Sequence, residues 1–291
     1  MNISVIGGDL RIIELAKLFD KNGDNVCLLG FENLEEKILE NSKITKITTL
    51  NNSVKTADLV ITSIPISKDG KYINSPYSNE KIVVKDFFEL TKNKKIITGN
   101  VTEKIQECIN KNNNNEIIDI LKLEELAIKN SIPTAEGAIQ IAMEKSLITI
   151  HNSNCLILGF GRIGKILAKM LKGMGANVYC EARKQQDLAW IETCGYSKID
   201  LKNLNNELEK VEFDFIFNTI PSLILDEKNL KFINKQCIII DLASKPGGVD
   251  FEEANKLGLV TNWALALPGK VAPKTAAKYI FETIKNNFDL L

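Results

Sequence analysis

Gly159-Phe160-Gly161-Arg162-Ile163-Gly164 combines residue types and spacing suited to holding a diphosphate. The run follows an apolar stretch, Cys155–Leu158, and precedes a helical one, Lys165–Gly173. Between a strand and a helix, the first glycine permits a tight turn and the second lets a pyrophosphate approach the backbone. The third lets helix and strand pack closely, and the free N–H groups of the first helical turn, at Arg162 and Ile163, face the phosphates. The chemistry such a site serves is hydride transfer with a nicotinamide dinucleotide.

The adenosine end is read from the next strand, Asn177-Val-Tyr-Cys-Glu181, and from Ala182-Arg183-Lys184 after it. An acid about 20 residues beyond the glycines commonly bonds both ribose hydroxyls, and Glu181 is available for that role. Side-chain alternation, with Ala182 in the ribose-facing register, turns Glu181 to the other face. Arg183 and Lys184 are then placed to hold a 2′-phosphate, so the expected cofactor is NADP rather than NAD. Thr219-Ile220-Pro221 follows the strand Phe215–Asn218, where a loop commonly covers the nicotinamide ribose.

Strands and helices must position these groups. Short apolar runs alternate with amphipathic helical stretches, which calls for parallel α/β architecture. In the first half strands are expected at Ile3–Ile6, Asn25–Leu29, Leu59–Ser63, Lys95–Thr98 and Ile117–Ile118, with helices near Arg11–Asn22, Val101–Lys111 and Leu123–Ile128. In the second half strands are expected at Cys155–Leu158, Asn177–Cys180, Phe215–Asn218, Cys237–Asp241 and Leu259–Thr261. Pro133–Leu147 reads as a helix joining the halves, with Thr134 as its N-cap and Glu136 in its first turn. Lys274–Asn287 reads as a terminal helix.

The halves echo one another. Asp58-Leu-Val-Ile-Thr-Ser-Ile-Pro65 matches Asp214-Phe-Ile-Phe-Asn-Thr-Ile-Pro221 in pattern, and Val5-Ile-Gly-Gly8 stands where Leu158-Gly-Phe-Gly161 stands in the second half. The expected fold class is α/β, with two doubly wound Rossmann-like domains and a cleft between them. Residues 1–132 form a Rossmann or flavodoxin-like substrate domain on which a C-terminal helix within 272–291 packs back. Residues 133–150 are the linker helix, and residues 151–271 the NAD(P)-binding domain.

Composition narrows the function classes. Lysine plus arginine and aspartate plus glutamate are both 37, so the formal charge is zero and no nucleic-acid partner is indicated. No signal peptide and no apolar run of membrane-spanning length is apparent, which points to the cytoplasm. The cysteines at 27, 108, 155, 180, 194 and 237 form no CxxC pair and read as reduced thiols; no metal site is expected. His151 is the single histidine. It precedes the Cys155 strand, near the N-terminal edge of its sheet, and is read as structural.

Several runs together resemble the A-subunit family of dipicolinate synthases. They are Gly7-Gly-Asp-Leu-Arg11, Asn130-Ser-Ile-Pro-Thr-Ala-Glu-Gly-Ala138, Thr149-Ile-His151, Leu158-Gly-Phe-Gly-Arg162, Asn218-Thr-Ile-Pro221, Asp241-Leu-Ala-Ser-Lys-Pro-Gly-Gly248 and Val271-Ala-Pro-Lys-Thr275. The resemblance spans essentially the whole chain. It implies an NAD(P)-dependent oxidoreductase of sporulation, acting in the mother-cell cytosol. The implied reaction converts 4-hydroxy-tetrahydrodipicolinate to pyridine-2,6-dicarboxylate beside a flavoprotein-like B subunit, in a homo- or hetero-oligomer. Departures from the family pattern are Glu181, where a small residue is expected, Asn152 after His151, and Lys270 after Pro268-Gly269.

A planar dicarboxylate substrate calls for cations and hydroxyls. The candidates are Arg11, Thr134, Ser244 and Lys245, with Glu136 in the same run as Thr134. Lys245 stands where the more distant D-2-hydroxyacid dehydrogenases place a carboxylate-binding arginine, and is the candidate catalytic residue. Those enzymes follow a late proline with a catalytic histidine; Gly269 follows Pro268 here. Two other functions stay open: a different NAD(P)-dependent small-acid dehydrogenase, and a non-catalytic NADP-binding subunit.

Overall fold

Every pairing between the named strands is parallel, in two separate six-stranded sheets. The structure, a computed structural model, describes residues 1–109 and 113–288. The chain divides into two units, Met1–Lys129 with the segment from Ala272, and Asn130–Val271.

The first unit contains β1 (Asn2–Ile6), β2 (Asn25–Leu29), β3 (Thr45–Ile47), β4 (Leu59–Thr62), β5 (Lys95–Thr98) and β6 (Glu116–Asp119). Its helices are α1 (Leu10–Lys21), α2 (Leu50–Lys55), α3 (Val84–Leu90) and α4 (Glu103–Cys108), and it holds the start of α5 (Glu124–Lys145). The second unit contains β7 (Asn154–Leu158), β8 (Asn177–Ala182), β9 (Ser197–Asp200), β10 (Phe215–Asn218), β11 (Ile238–Asp241) and β12 (Val260–Trp263). With them come α6 (Arg162–Gly173), α7 (Gln185–Thr193), α8 (Leu204–Lys210), α9 (Glu227–Leu230), α10 (Phe251–Lys256) and α11 (Leu267–Val271). The chain returns to the first unit with α12 (Pro273–Asn287).

Strand order is β3-β2-β1-β4-β5-β6 in one sheet and β9-β8-β7-β10-β11-β12 in the other. Both are the doubly wound 3-2-1-4-5-6 order, whose reversal point lies beside the first strand of each sheet. Each sheet is covered on both faces, as parallel sheets require. In the first unit one core holds Ile3, Val5, Leu28 and Ile61, and the other Ile6, Val60, Phe87 and Ile96. In the second, Cys155, Ile157, Cys180 and Phe217 face one core, and Leu156, Leu158, Ile216 and Ile239 the other.

The echo between the halves is structural. Asp58 and Asp214 each accept the N–H that opens the neighbouring strand, from Asn2 at 2.8 Å and from Asn154 at 2.7 Å. In both units this bond sets the register of the two central strands.

Patterning does not reveal the edge strands β3 and β9, whose residues are short, polar runs largely in water. The expected helix Val101–Lys111 is shorter, as α4, and its residues 110 and 111 lie outside the described ones; so do 289–291 of the expected 272–291 segment. The linker expectation needs a larger correction. The separate stretches Leu123–Ile128 and Pro133–Leu147 are one helix, α5, with Pro133 inside it. Thr134 is therefore no N-cap: its hydroxyl donates back to the Asn130 carbonyl at 2.7 Å, in mid-helix. The division between the units falls within α5, after Lys129.

α12 buries Ala276, Ala277, Ile280 and Ile284 against the apolar face of α1, and Phe281 meets Phe19 edge-on at 4.9 Å. Glu125 of α5 accepts from Asn286 and Asn287, and Lys129 pairs with Glu282 at 3.0 Å.

Candidate functional site

At the carboxyl ends of β7, β8 and β10 the second unit holds a cavity of about 710 Å³. Gly159, Gly161, Arg183, Lys184, Thr219, Ile220 and Pro221 all line it, together with Glu181. Of the other residues expected at this end, Arg162 and Ile163 form the first turn of α6 behind the glycines, and Gly164 is buried beneath them.

Each glycine is required for a different reason. Gly159 has φ +92°, and a Cβ there would stand 2.6 Å from the Thr219 hydroxyl. A Cβ on Gly164 would collide with the Gly159 carbonyl, so helix and strand pack closely only because it is absent. Around Gly161 a Cβ would meet nothing within 4 Å, so its bareness serves the open space in front of α6 rather than the fold. No side chain caps α6, a 12-residue helix whose N-terminus opens beside this space. Uncapped N–H groups and the positive end of the helix dipole fit a diphosphate.

Glu181 corrects the register expected from the sequence. It is 1% exposed, and its carboxylate accepts the Gly159 N–H at 3.1 Å. Alternation along β8 holds, but the faces are the reverse of those expected. Ala182 packs with Val178 and Cys180 into the core that also holds Leu167 and Leu188. Glu181, level with Leu158 in the register, reaches the glycine turn. Burial raises its carboxyl to about 7, against the pull of the Gly159 N–H and of Arg183, while Asp200 adds to the rise.

Two further polar residues, unassigned from the sequence, organise the adjacent loops. Asn218 and Asp241 end β10 and β11, and both are fully buried. Asn218 donates to Asp241 at 2.8 Å and to the Ile220 carbonyl at 3.0 Å, and it accepts the Ile220 N–H at 3.0 Å. Asp241 also accepts the N–H groups of Ala243 at 3.0 Å and Gly248 at 2.8 Å. One carboxylate thus holds both ends of the Ala243–Gly248 loop and, through Asn218, the Thr219–Pro221 loop. The signal for them was present: each is a polar residue closing an otherwise apolar strand.

Ser244 and Lys245 are exposed on the loop that Asp241 holds, outside the residues lining the cavity. Glu136 is exposed on α5 and borders a different concavity, an apolar one shared with Met143, Met170 and Met174. His151 sits in the turn before β7 and packs on the turn before β8, its Nδ1 3.3 Å from the Met174 carbonyl and its ring against Gly175. The thiols of Cys155, Cys180 and Cys237 are buried, and burial pushes all three up, Cys155 to about 11.

Within the first unit the corresponding glycine turn is occupied by the chain itself. The Gly8 N–H donates to the Asn74 carbonyl at 2.9 Å, and a Cβ on Gly7 would stand 2.5 Å from the Ser75 hydroxyl. The segment that follows β4 therefore fills the space where a phosphate would sit. Asp69 anchors that segment by accepting the N–H groups of Lys71 and Tyr72, bonds that hold its carboxyl down at about 2. Arg11, a substrate candidate from the sequence, is buried. It pairs with Asp9 at 2.7 Å and donates to the Ile64 carbonyl at 2.7 Å, tying the β1–α1 turn to the end of β4.

Known proteins sharing this arrangement decide the family. Residues 2–121 match the family described as the N-terminal domain of the dipicolinate synthase A-subunit. Residues 129–247 match the NAD binding domain of D-isomer specific 2-hydroxyacid dehydrogenases. The dipicolinate synthase A-subunit of Bacillus subtilis is 32% identical over 96% of this chain and 93% of its own length. The chain belongs to the dipicolinate synthase A-subunit family. The crystal structure of the family member from Bacillus halodurans superposes with a TM-score of 0.88 at 31% identity, covering 98% of this chain and 96% of that one. That of the Bacillus subtilis protein gives 0.86 at 30%, covering 98% and 95%. As a member of the dipicolinate synthase A-subunit family, the chain is of oxidoreductase type and carries a nicotinamide-dinucleotide domain. Among the described residues no helix is long and apolar enough to cross a membrane.

Proposed function

We propose that the chain oxidises 4-hydroxy-tetrahydrodipicolinate to pyridine-2,6-dicarboxylate in the cytoplasm of a sporulating mother cell, together with a flavoprotein-like B subunit. What carries this reading is similarity to a dipicolinate synthase A-subunit over 96% of the chain, through both units. Loss of water from the ring followed by loss of a hydride and a proton gives the aromatic product. A bound nicotinamide supplies the hydride acceptor.

The residues of the chain bind, orient and position. The Gly159–Gly164 turn and the α6 N-terminus hold the diphosphate, and Thr219, Ile220 and Pro221 border the nicotinamide end. Ser244 and Lys245 take a substrate carboxylate as hydroxyl and cationic donors. Asp241 positions their loop. The first unit, Met1–Lys129 with α12, is the substrate domain; its filled glycine turn leaves the dinucleotide to the second unit. Arg11, already engaged by Asp9 and the Ile64 carbonyl, shapes the substrate end as a positioning residue. Thr134 offers a hydroxyl lone pair to a substrate donor, its proton being committed to the Asn130 carbonyl. Glu136, on the separate apolar concavity with Met143, Met170 and Met174, is left out of the substrate site. Arg183 and Lys184 favour NADP, and Glu181 opposes it.

The test is incubation of the purified chain with the cyclic precursor and either NADP⁺ or NAD⁺, with and without the B subunit. Reduced nicotinamide and pyridine-2,6-dicarboxylate should appear in equal amounts. Turnover by the single chain excludes a purely cofactor-binding subunit. Oxidation of simple 2-hydroxy acids, with the cyclic precursor untouched, overturns the proposal in favour of a small-acid dehydrogenase.

A further inference from the structure

The adenosine end of the cavity holds opposed charges. Arg183 and Lys184, both exposed, follow β8 directly, and each would attract a 2′-phosphate. Glu181 lines the same space from a buried position, fixed by its bond from the Gly159 N–H. An ionised carboxylate there accepts from ribose hydroxyls and repels a phosphate. A neutral carboxyl loses the repulsion and gains an O–H that can donate to a phosphate oxygen.

We propose that the Glu181 carboxyl is a proton-operated selector between the two nicotinamide dinucleotides: ionised, it admits a bare adenosine ribose, and neutral, it also admits a 2′-phosphate. The proposal rests on the dinucleotide reading of this cavity and deepens it. Burial brings the group into the physiological range, at about 7. The charges around it come from several elements. Arg183 and Lys184 belong to its own strand end, Asp187 to α7, Asp200 to β9, Lys202 to the turn after β9, and Asp226 to the N-cap of α9. Asp200 is held elsewhere, accepting from the Lys202 N–H at 3.0 Å and from Gln185 at 3.4 Å. From β7 the contact is the uncharged Gly159 N–H.

The experiment is equilibrium titration of the full chain with NADH and NADPH at pH 6, 7 and 8, read by nicotinamide fluorescence. If the carboxyl must be neutral before a 2′-phosphate enters, one proton governs the affinity. The Kd for NADPH then rises about tenfold between pH 6 and pH 8, while that for NADH stays level or falls. The 2′-phosphate itself titrates near about 6, so Glu181→Gln isolates the protein's share. That variant should bind NADPH at pH 8 roughly as tightly as wild type does at pH 6, and NADH more weakly than wild type. Arg183→Ala, an exposed change with no bearing on folding, gives an independent reading. It should lose roughly tenfold in NADPH affinity at pH 6 and much less in NADH affinity. A constant ratio of the two affinities across this range, or a Gln variant that keeps the wild-type profile, overturns the selector. Binding of neither dinucleotide at any pH instead removes the dinucleotide reading beneath it.

Discussion

Replacing Asp241 by asparagine changes one atom in the residue on which two loops depend. The carboxylate accepts from Asn218 Nδ2 and the Ala243 N–H through Oδ1, and from the Gly248 N–H through Oδ2. An amide in the same orientation keeps the Oδ1 bonds and sets an NH₂ group against the Gly248 N–H. One hydrogen bond to a charged acceptor is lost, and a buried donor is left without a partner. The two effects together are worth about 2–3 kcal/mol. At roughly 2–4 °C per kcal/mol for a domain of this size, the melting temperature should fall by roughly 4–12 °C. Release of the Gly248 end also loosens Ser244 and Lys245, so the KM for the dicarboxylate should rise while dinucleotide affinity changes less. Thermal unfolding by circular dichroism and steady-state kinetics read the two effects. A melting temperature within about 1 °C of wild type, with unaltered KM, would show that Asp241 does not hold this loop.

Lys245→Ala should raise the KM for the dicarboxylate by roughly tenfold to a hundredfold, the worth of one charged hydrogen bond, with unchanged thermal stability because the side chain is exposed; substrate-dependence kinetics and a melting curve check it. Gly161→Ala should leave the melting temperature alone and weaken dinucleotide binding, since its Cβ meets only the open space before α6. Gly164→Ala should lower both, since its Cβ collides with the Gly159 carbonyl; calorimetric titration and a melting curve separate the two. Glu181 makes stability fall as pH rises. Its folded-state carboxyl sits near 7, above the 4.5 of a free carboxyl, so the advantage present below about 4.5 is lost as pH climbs through 7. Glu181→Gln should flatten that dependence in denaturant melts of the cofactor-free chain between about pH 5 and 8.

The glycine turn was legible because three glycines at fixed spacing between an apolar strand and a helix answer three separate steric demands. The paired acids Asp58 and Asp214 were legible as an echo, though their common role as register pins needed the sheet. Glu181 was misplaced for a definite reason. Alternation fixes which residues share a face, but not which face meets the glycine turn; that depends on the β7–β8 register, where Leu158 pairs with Glu181. Pro133 concealed the continuity of α5, because a proline reads as a helix start while the tertiary packing of α5 carries the helix through it. The filled Gly7-Gly8 turn was invisible, since the residues that fill it, Asn74 and Ser75, are remote in sequence and carry no pattern. Asp241 opens a recognisable run, yet its three bonds reach residues two, seven and 23 positions away.

Direct transfer of hydrogen from substrate to nicotinamide is the central claim. The measurement is a single turnover of the cyclic precursor, deuterated at its saturated ring carbons, with the chain, unlabelled oxidised dinucleotide and the B subunit. The account predicts pyridine-2,6-dicarboxylate and an equal amount of reduced nicotinamide carrying one deuterium, seen by mass spectrometry. Reduced nicotinamide without deuterium, or aromatic product formed with the dinucleotide still oxidised, would contradict it.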